Sequence, residues 1–142
     1  MATLTATAAA STSQAQFHVT GPVWRTVEYS LNGLTLSAGD VIQMCKVPSG
    51  ARIIDMVLTV DGTGAAGVQS YTIGSMGDGN AAGRYLGTLS VVTSLVQRLA
   101  LVGGFGYSYS AEDTIDITIG TITSGTAATA TVRLTLAYTN NP

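Results

Sequence analysis

With 142 residues, the chain is long enough to form one domain with an ordinary hydrophobic core. Charged residues make up only 10% of the chain and hydrophobic residues make up 46%. This composition favours a subunit that buries part of its surface in an assembly. The alternative is a Thr- and Gly-rich β-protein that its hydroxyl groups keep soluble. The formal net charge is −2 and the six cations are spread along the chain, which excludes a basic stripe and argues against a nucleic-acid partner.

The amino-terminal segment, residues 1–16, is small, polar and uncharged, a composition that predicts a flexible arm. It lacks the positive start of a signal peptide, and threonines interrupt its apolar residues. No apolar run approaches the length of a membrane span, so we expect no membrane partner and synthesis in the cytoplasm of the producing cell. The folded domain is predicted to begin at Phe17 and to cover residues 17–142.

The first predicted strands follow in close succession. Alternate residues share one face from Val23 to Leu31, and Asn32-Gly33 is a strong turn signal. A β-branched run from Val41 to Val47, the turn Pro48-Ser49-Gly50 and a second apolar run from Arg52 to Val60 then predict a β-hairpin.

The middle of the chain is rich in glycine. Between Asp61 and Gly83 we predict one short strand, Gln69 to Ile73, among loops of the kind that serve a function or contact a neighbour. Arg84 to Val92 reads as a further strand. Ser94 to Val102 also satisfies a helical period, and its context favours a strand.

The carboxyl end alternates most clearly, with Ile115, Ile117 and Ile119 on one face and, after Ser124-Gly125, a second alternating run through Leu134. This pattern predicts an antiparallel hairpin with one solvated face. Seven to nine short strands and few helix formers indicate an all-β, antiparallel sandwich, with a jelly roll as the leading topology and an immunoglobulin-like sandwich as the alternative.

Residues with catalytic or metal-binding potential do not form a recognisable constellation. A G-x-G-x-x-G run begins at Gly62, but β-prone residues follow it where a dinucleotide site needs a helix. His18 is the only histidine and no nucleophile elbow accompanies it, while Cys45 is alone in a strand. Asp78-Gly79-Asn80 lacks the spaced carboxylates of a calcium loop. We therefore predict no catalytic residues, no metal and no cofactor.

Two further groups have alternative interpretations. Glu112, Asp113 and Asp116 form an acidic cluster that could supply the carboxylate pair of a glycosidase. Asp113 and Asp116 have opposite strand parity, so they would point to opposite faces of a strand. Glu112 and Asp113 fit better as the turn that precedes the strand. Tyr107 and Tyr109 share a face and could stack on a sugar ring, although packing within a sheet or against a neighbouring subunit is the simpler interpretation.

Three stretches carry a family resemblance. They are GDVIQMCKVPSGARIIDMVLTVDG from Gly39 to Gly62, the Arg-Tyr-Leu step at 84–86, and YSAEDTID at 109–116. Together these resemble the jelly-roll subunits that decorate or cement the heads of tailed bacteriophages, over a span from about Gly39 to Tyr138. None of the three motifs is catalytic.

The resemblance implies a virion structural protein that stabilises the capsid by non-covalent bridging of capsomers. It also implies a homotrimer, a major capsid protein as partner, and a location on the capsid surface after synthesis in the host cytoplasm. A carbohydrate- or receptor-binding module of a head fibre or tail tip is the alternative, and an enzyme ranks third because no acid/base constellation can be assembled. The candidate assembly residues are Ala2, Thr3, Leu4, Phe17, Trp24, Arg84, Tyr85, Tyr107 and Tyr109.

Overall fold

The computed structural model describes residues 1–6, 21–62, 71–86, 89–91, 95–99, 104, 106–122 and 128–140. This part of the chain contains ten β-strands and no helix. The strands are β1 (Thr3–Thr5), β2 (Pro22–Ser30), β3 (Val41–Val47), β4 (Ala51–Gly62), β5 (Tyr71–Asp78), β6 (Ala81–Leu86), β7 (Leu89–Val91), β8 (Leu95–Arg98), β9 (Asp113–Ile122) and β10 (Ala130–Asn140). No helix in the described residues has the length and apolarity needed to cross a bilayer.

The strands form two sheets that pack face to face. The six-stranded sheet has the order β1-β3-β9-β5-β6, with β7 also paired to β5, and the four-stranded sheet has the order β2-β10-β4-β8. All ladders are antiparallel except that between β1 and β3, which is parallel. Without β1 and β7, the strand order is that of a jelly roll, which confirms the predicted all-β sandwich and its leading topology.

The hydrophobic core lies between the two sheets. Alternation of apolar and polar residues sends one side of each central strand into it. A bulge between Gln43 and Cys45 breaks this alternation in β3, so that Met44 and Cys45 are both fully buried. The buried residues of the two central strands are Ile115, Ile117, Ile119, Val132, Leu134, Leu136 and Tyr138.

Both hairpins predicted from the sequence are wrong. The strands on either side of Pro48-Ser49-Gly50 exist, and Gly50 has the predicted positive φ of 83°. However, β3 pairs with β1 and β9, whereas β4 pairs with β10 and β8 in the other sheet. The last two strands are separated in the same way, because β9 and β10 belong to different sheets. The Pro48-Ser49-Gly50 turn therefore carries the chain across the sandwich, and residues 123–127, between β9 and β10, lie outside the described residues.

The other predicted strands are found with shifted boundaries. The strand expected at Gln69 to Ile73 is β5, which runs further, to Asp78. The strand expected from Arg84 to Val92 corresponds to β6 and β7, and residues 87–88 lie outside the described residues. Within the ambiguous segment 94–102, residues 95–98 form β8, so the strand interpretation is confirmed for those four residues.

Candidate assembly surfaces

The first residues of the chain extend the edge of the six-stranded sheet. Strand β1 lies parallel to β3, and the ladder continues on both sides of it. The backbone N–H of Val41 donates to the Ala2 carbonyl over 2.9 Å, and that of Ala6 donates to the Gln43 carbonyl over 2.9 Å. The N–H of Ala2 donates to Asp40 Oδ1 over 2.8 Å. The contact is thus made mainly by main-chain groups.

Asp40 holds this edge together. Its second carboxylate oxygen accepts a hydrogen bond from the N–H of Ser37 over 2.8 Å, and the residue is only 5% exposed. Hydrogen bonds from the backbone of Ala2 and of Ser37 stabilise the charged form and lower the pKa of the Asp40 carboxyl from its usual value. The turn before β3 therefore provides a fixed acceptor for the start of β1.

This arrangement gives part of the predicted arm a position on the sheet. Ala2 and Thr3 are exposed, Leu4 is partly buried against the core, and Ala6 is fully buried. Residues 7–16, and Phe17 with them, lie outside the described residues. The boundary between arm and domain, and the assembly role of these residues, stay predictions.

A second group of candidate residues surrounds the buried carboxylate of Asp78, at the turn between β5 and β6. Asp78 Oδ1 accepts hydrogen bonds from the backbone N–H of Asn80 over 3.1 Å and of Ala81 over 2.7 Å. Its Oδ2 accepts from Arg84 Nε and from the Tyr109 hydroxyl, the latter over 3.0 Å. The Asp78 side chain is closed to solvent, and four donors satisfy it.

Aromatic side chains continue this network. The Tyr85 and Tyr109 hydroxyls share a hydrogen bond, and burial raises the pKa of both phenols. The Arg84 guanidinium carbon lies 3.6 Å from the centre of the Tyr107 ring, and the Tyr107 and Tyr109 rings meet edge to face with centroids 5.1 Å apart. Gly104 leaves the room that Tyr85 needs, since a Cβ there would lie 2.3 Å from its ring.

The structure brings four sequence-predicted site residues together in this cluster. Tyr109 is 3% exposed, so the surface of Tyr107 and Tyr109 that a sugar platform would need is not available. The cluster instead ties the segment before β9 to the β5–β6 turn. An assembly role for Arg84, Tyr85, Tyr107 and Tyr109 stays a prediction.

The ninth candidate, Trp24, lies on a third surface, the outer face of the four-stranded sheet. Its side chain is 62% exposed. The sheet register places five rows of outward-facing residues across this face. The rows are Pro22-Thr139-Arg52, Trp24-Ala137-Asp55, Thr26-Thr135-Val57-Arg98, Glu28-Arg133-Thr59-Val96 and Ser30-Thr131-Asp61.

Two ion pairs lie on this outer face. Arg133 Nε donates to Glu28 on the neighbouring strand. Arg98 makes a two-pronged contact with Asp55, through Nε to Oδ1 at 3.0 Å and Nη2 to Oδ2 at 2.9 Å. This contact lowers the pKa of the Asp55 carboxyl. The face therefore presents exposed apolar groups, threonines, two ion pairs and the further charged residues Arg52 and Asp61.

The remaining candidates carry no chemistry that the described structure supports. Burial raises the pKa of the Cys45 thiol to about 12, as expected for a structural cysteine. His18 and residues 63–67 of the glycine motif lie outside the described residues. Among the residues that are described, no group of three His, Cys, Asp or Glu side chains could hold a metal ion.

Sequence reasoning missed Asp40, Asp78 and Val96. Asp40 and Asp78 each close a turn with their own side chain, a recognised use of aspartate, but nothing local marks their distant partners. Val96 lies in the segment 94–102, where strand and helix patterns overlap, so the sequence alone does not indicate that its side chain is exposed.

No family model and no curated protein matches this chain. Among solved structures, a chain of the capsid of Ralstonia phage GP4 superposes with a TM-score of 0.78 over 99% of both chains, at 16% identity. A chain of the cyanophage Pam1 capsid asymmetric unit superposes with a TM-score of 0.62 over 90% of this chain and 92% of that chain, at 20% identity. A chain of the acid-stable capsid of Helicobacter pylori bacteriophage KHP30 superposes with a TM-score of 0.56 over 84% of this chain and 89% of that chain, at 15% identity. At these identities the likeness establishes a shared fold.

Proposed function

We propose that the protein is a structural component of a bacteriophage virion, a decoration or cement subunit that stabilises the head by non-covalent bridging of capsomers. The observation that carries the proposal is the superposition on a chain of the Ralstonia phage GP4 capsid over 99% of both chains. The match is end to end, so the similarity is to a whole subunit and not to one domain of a larger chain. The sequence resemblance of Gly39 to Tyr138 to head-decorating jelly rolls supports the same role.

The chemistry of the chain agrees with such a role. Asp40, Asp78, Tyr85 and Tyr109 are hydrogen-bonded to partners within the chain, and these contacts rigidify the sandwich. We propose no enzymatic activity and no cofactor. The partners are other copies of the chain, as a homotrimer, and the major capsid protein; the location is the outer surface of the capsid.

A receptor- or sugar-binding module remains the second candidate, because Trp24 is an exposed aromatic ring that could stack on a ligand. A single experiment separates the roles: deletion of the gene from the phage, followed by particle counting, heating and adsorption assays. A decoration subunit predicts intact but heat-sensitive heads that regain stability when purified protein is added back.

The other outcomes contradict the proposal in distinct ways. Absence of any heads would indicate the shell-forming protein itself. Normal heads that no longer adsorb to cells would indicate a receptor-binding module. Quantitative mass spectrometry of wild-type particles gives an independent check, since a decoration subunit must be present in hundreds of copies.

A further inference from the structure

Asp40 is a buried carboxylate that is not part of any salt bridge among the described residues. The residue is 5% exposed. Hydrogen bonds from the backbone of Ala2 and of Ser37 lower the pKa of its carboxyl, so the side chain is negatively charged at neutral pH. A buried charge is ordinarily paired with a group of opposite charge, because taking it out of water is costly. A positive group is therefore expected beside Asp40.

The nitrogen atom of Ala2 lies where such a group would be. It is 2.8 Å from Asp40 Oδ1, a distance that suits an ammonium–carboxylate pair as well as the present hydrogen bond. The Ala2 carbonyl is held too, because it accepts from the N–H of Val41 over 2.9 Å. Met1 is 95% exposed and precedes β1, so its removal would leave these contacts in place.

We propose that the peptide bond between Met1 and Ala2 is a processing site, and that the α-ammonium group which its hydrolysis creates on Ala2 forms an ion pair with the Asp40 carboxylate. Hydrolysis breaks the bond between the Met1 carbonyl carbon and the Ala2 nitrogen. Water supplies the second oxygen of the methionine carboxylate that leaves, and its two protons convert the amide N–H into an ammonium group. In a chain whose first residue is Met1, the methionine aminopeptidases of the producing cell catalyse this step, because the second side chain is small.

The Asp40 side chain is held in position for this pairing. Its backbone N–H donates to the Ser37 carbonyl over 3.0 Å, and its backbone carbonyl accepts from the N–H of Ile119 over 2.8 Å. These contacts fix the turn before β3 against β9, so little conformational freedom is lost when the pair forms. Ala2 itself is exposed, which keeps the remaining ammonium protons in contact with water. The pair therefore avoids the desolvation cost of a fully buried one.

Processing moves the positive charge towards Asp40. Besides the hydrogen bonds from Ala2 and Ser37, the charge of the Met1 amino group already lowers the pKa of the Asp40 carboxyl. That amino group lies one residue further out, about 3.5 Å along an extended chain. On Ala2 the charge would touch the carboxylate and fasten β1, whose ladder with β3 has only three residue pairs. This inference does not depend on the capsid role, so either can fail without the other.

The first experiment identifies the amino-terminal residue. The full chain is made in a cell-free bacterial extract with and without an inhibitor of methionine aminopeptidase, and the intact mass of each product is measured. We expect the uninhibited product to be lighter by one methionine residue. Retention of Met1 in the uninhibited product would overturn the proposal.

The second experiment tests the ion pair by labelling both products with a succinimidyl ester at neutral pH. Each α-amine rate is divided by the rate of the same amine in urea-unfolded protein, and Lys46, the only lysine, is the internal reference. In the folded processed chain, Ala2 should label about fivefold more slowly than in its Asp40→Asn variant, the change that a partly exposed ion pair supports. In the chain that retains Met1, the same variant should label like wild type.

A matched control is Glu28→Gln, which removes a carboxylate from the four-stranded sheet and should leave the Ala2 rate unchanged. Equal Ala2 rates in wild type and Asp40→Asn would overturn the proposal, as would an equal effect of Asp40→Asn on the chain that retains Met1. If Asp40→Asn fails to fold, the two wild-type products decide the matter. The normalised rate of Ala2 must then be lower than that of Met1, and equal rates would overturn the ion pair.

Discussion

The hydroxyl of Tyr109 donates a hydrogen bond to Asp78 Oδ2 over 3.0 Å and joins the segment before β9 to the β5–β6 turn. In Tyr109→Phe, both Asp78 and the Tyr85 hydroxyl would lose a partner in a site closed to water. We expect the free energy of unfolding to fall by about 1–3 kcal/mol. Equilibrium unfolding in urea measures this change, and an unchanged midpoint would contradict the role given to the cluster.

Tyr138→Phe should have the opposite outcome and is the matched control. Tyr138 is 1% exposed, and its hydroxyl has no hydrogen-bond partner among the described residues. Removing a buried, unpaired hydroxyl should leave the free energy of unfolding unchanged or raise it by up to about 1 kcal/mol. A loss comparable to that of Tyr109→Phe would show that the Tyr138 hydroxyl is hydrogen-bonded in solution.

Asp40→Ala should loosen the first strand, because the N–H groups of Ala2 and Ser37 lose their acceptor. We expect a cost of about 1–3 kcal/mol. The folded-state pKa of the Asp40 carboxyl lies below its ordinary value of 3.8. The contribution of Asp40 to the free energy of unfolding is therefore present above pH 3.8 and is lost as pH falls through the folded-state pKa. The difference between wild type and variant in urea unfolding should therefore shrink at acidic pH, and a constant difference would contradict this assignment.

Asp116→Asn should stabilise the protein at neutral pH. Asp116 is half-buried on β9, its Oδ1 has no partner within the described part of the chain, and burial raises the pKa of its carboxyl above 3.8. The folded state then holds the proton more tightly, so stability is lost as pH rises through the raised pKa. The gain from the variant should vanish below pH 3.8. A destabilised variant at neutral pH would contradict the prediction.

Truncation of the core should affect both sheets alike. Ile117→Ala in β9 and Leu134→Ala in β10 each remove a fully buried side chain at the centre of a sheet. We expect a loss of about 2–5 kcal/mol for each, measured by thermal or urea unfolding. A loss below 1 kcal/mol at either position would mean that the core relaxes around the cavity.

The positions of most strands were predictable, because alternation is a local property of the chain; β1 was not, because Thr3–Thr5 lies in a segment of small, polar residues. Ile117 and Leu134 were assigned to the correct inward faces. Strand partners were not predictable, since a turn such as Pro48-Ser49-Gly50 fits a hairpin and a crossing between sheets equally well. The choice depends on which residues far along the chain complete each sheet.

The same limit applies to the candidate surfaces. Trp24 could be placed on the outer face of a strand from parity alone. The partners of Asp40 and Asp78 could not be found, because Ala2 lies 38 residues from the first and Tyr109 lies 31 residues from the second. Such contacts exist only once the strands have paired.

The position of β10 in its sheet also determines when the protein can fold. This strand is the last of the ten, yet it lies between β2 and β4 and supplies a ladder to each. A chain emerging from the ribosome therefore exposes the apolar sides of β2 and β4 until residues 130–140 have been made. Folding must follow synthesis of that final strand, and its many distant pairings should make it slow. Nascent chains are consequently at risk of aggregation until β10 has been made.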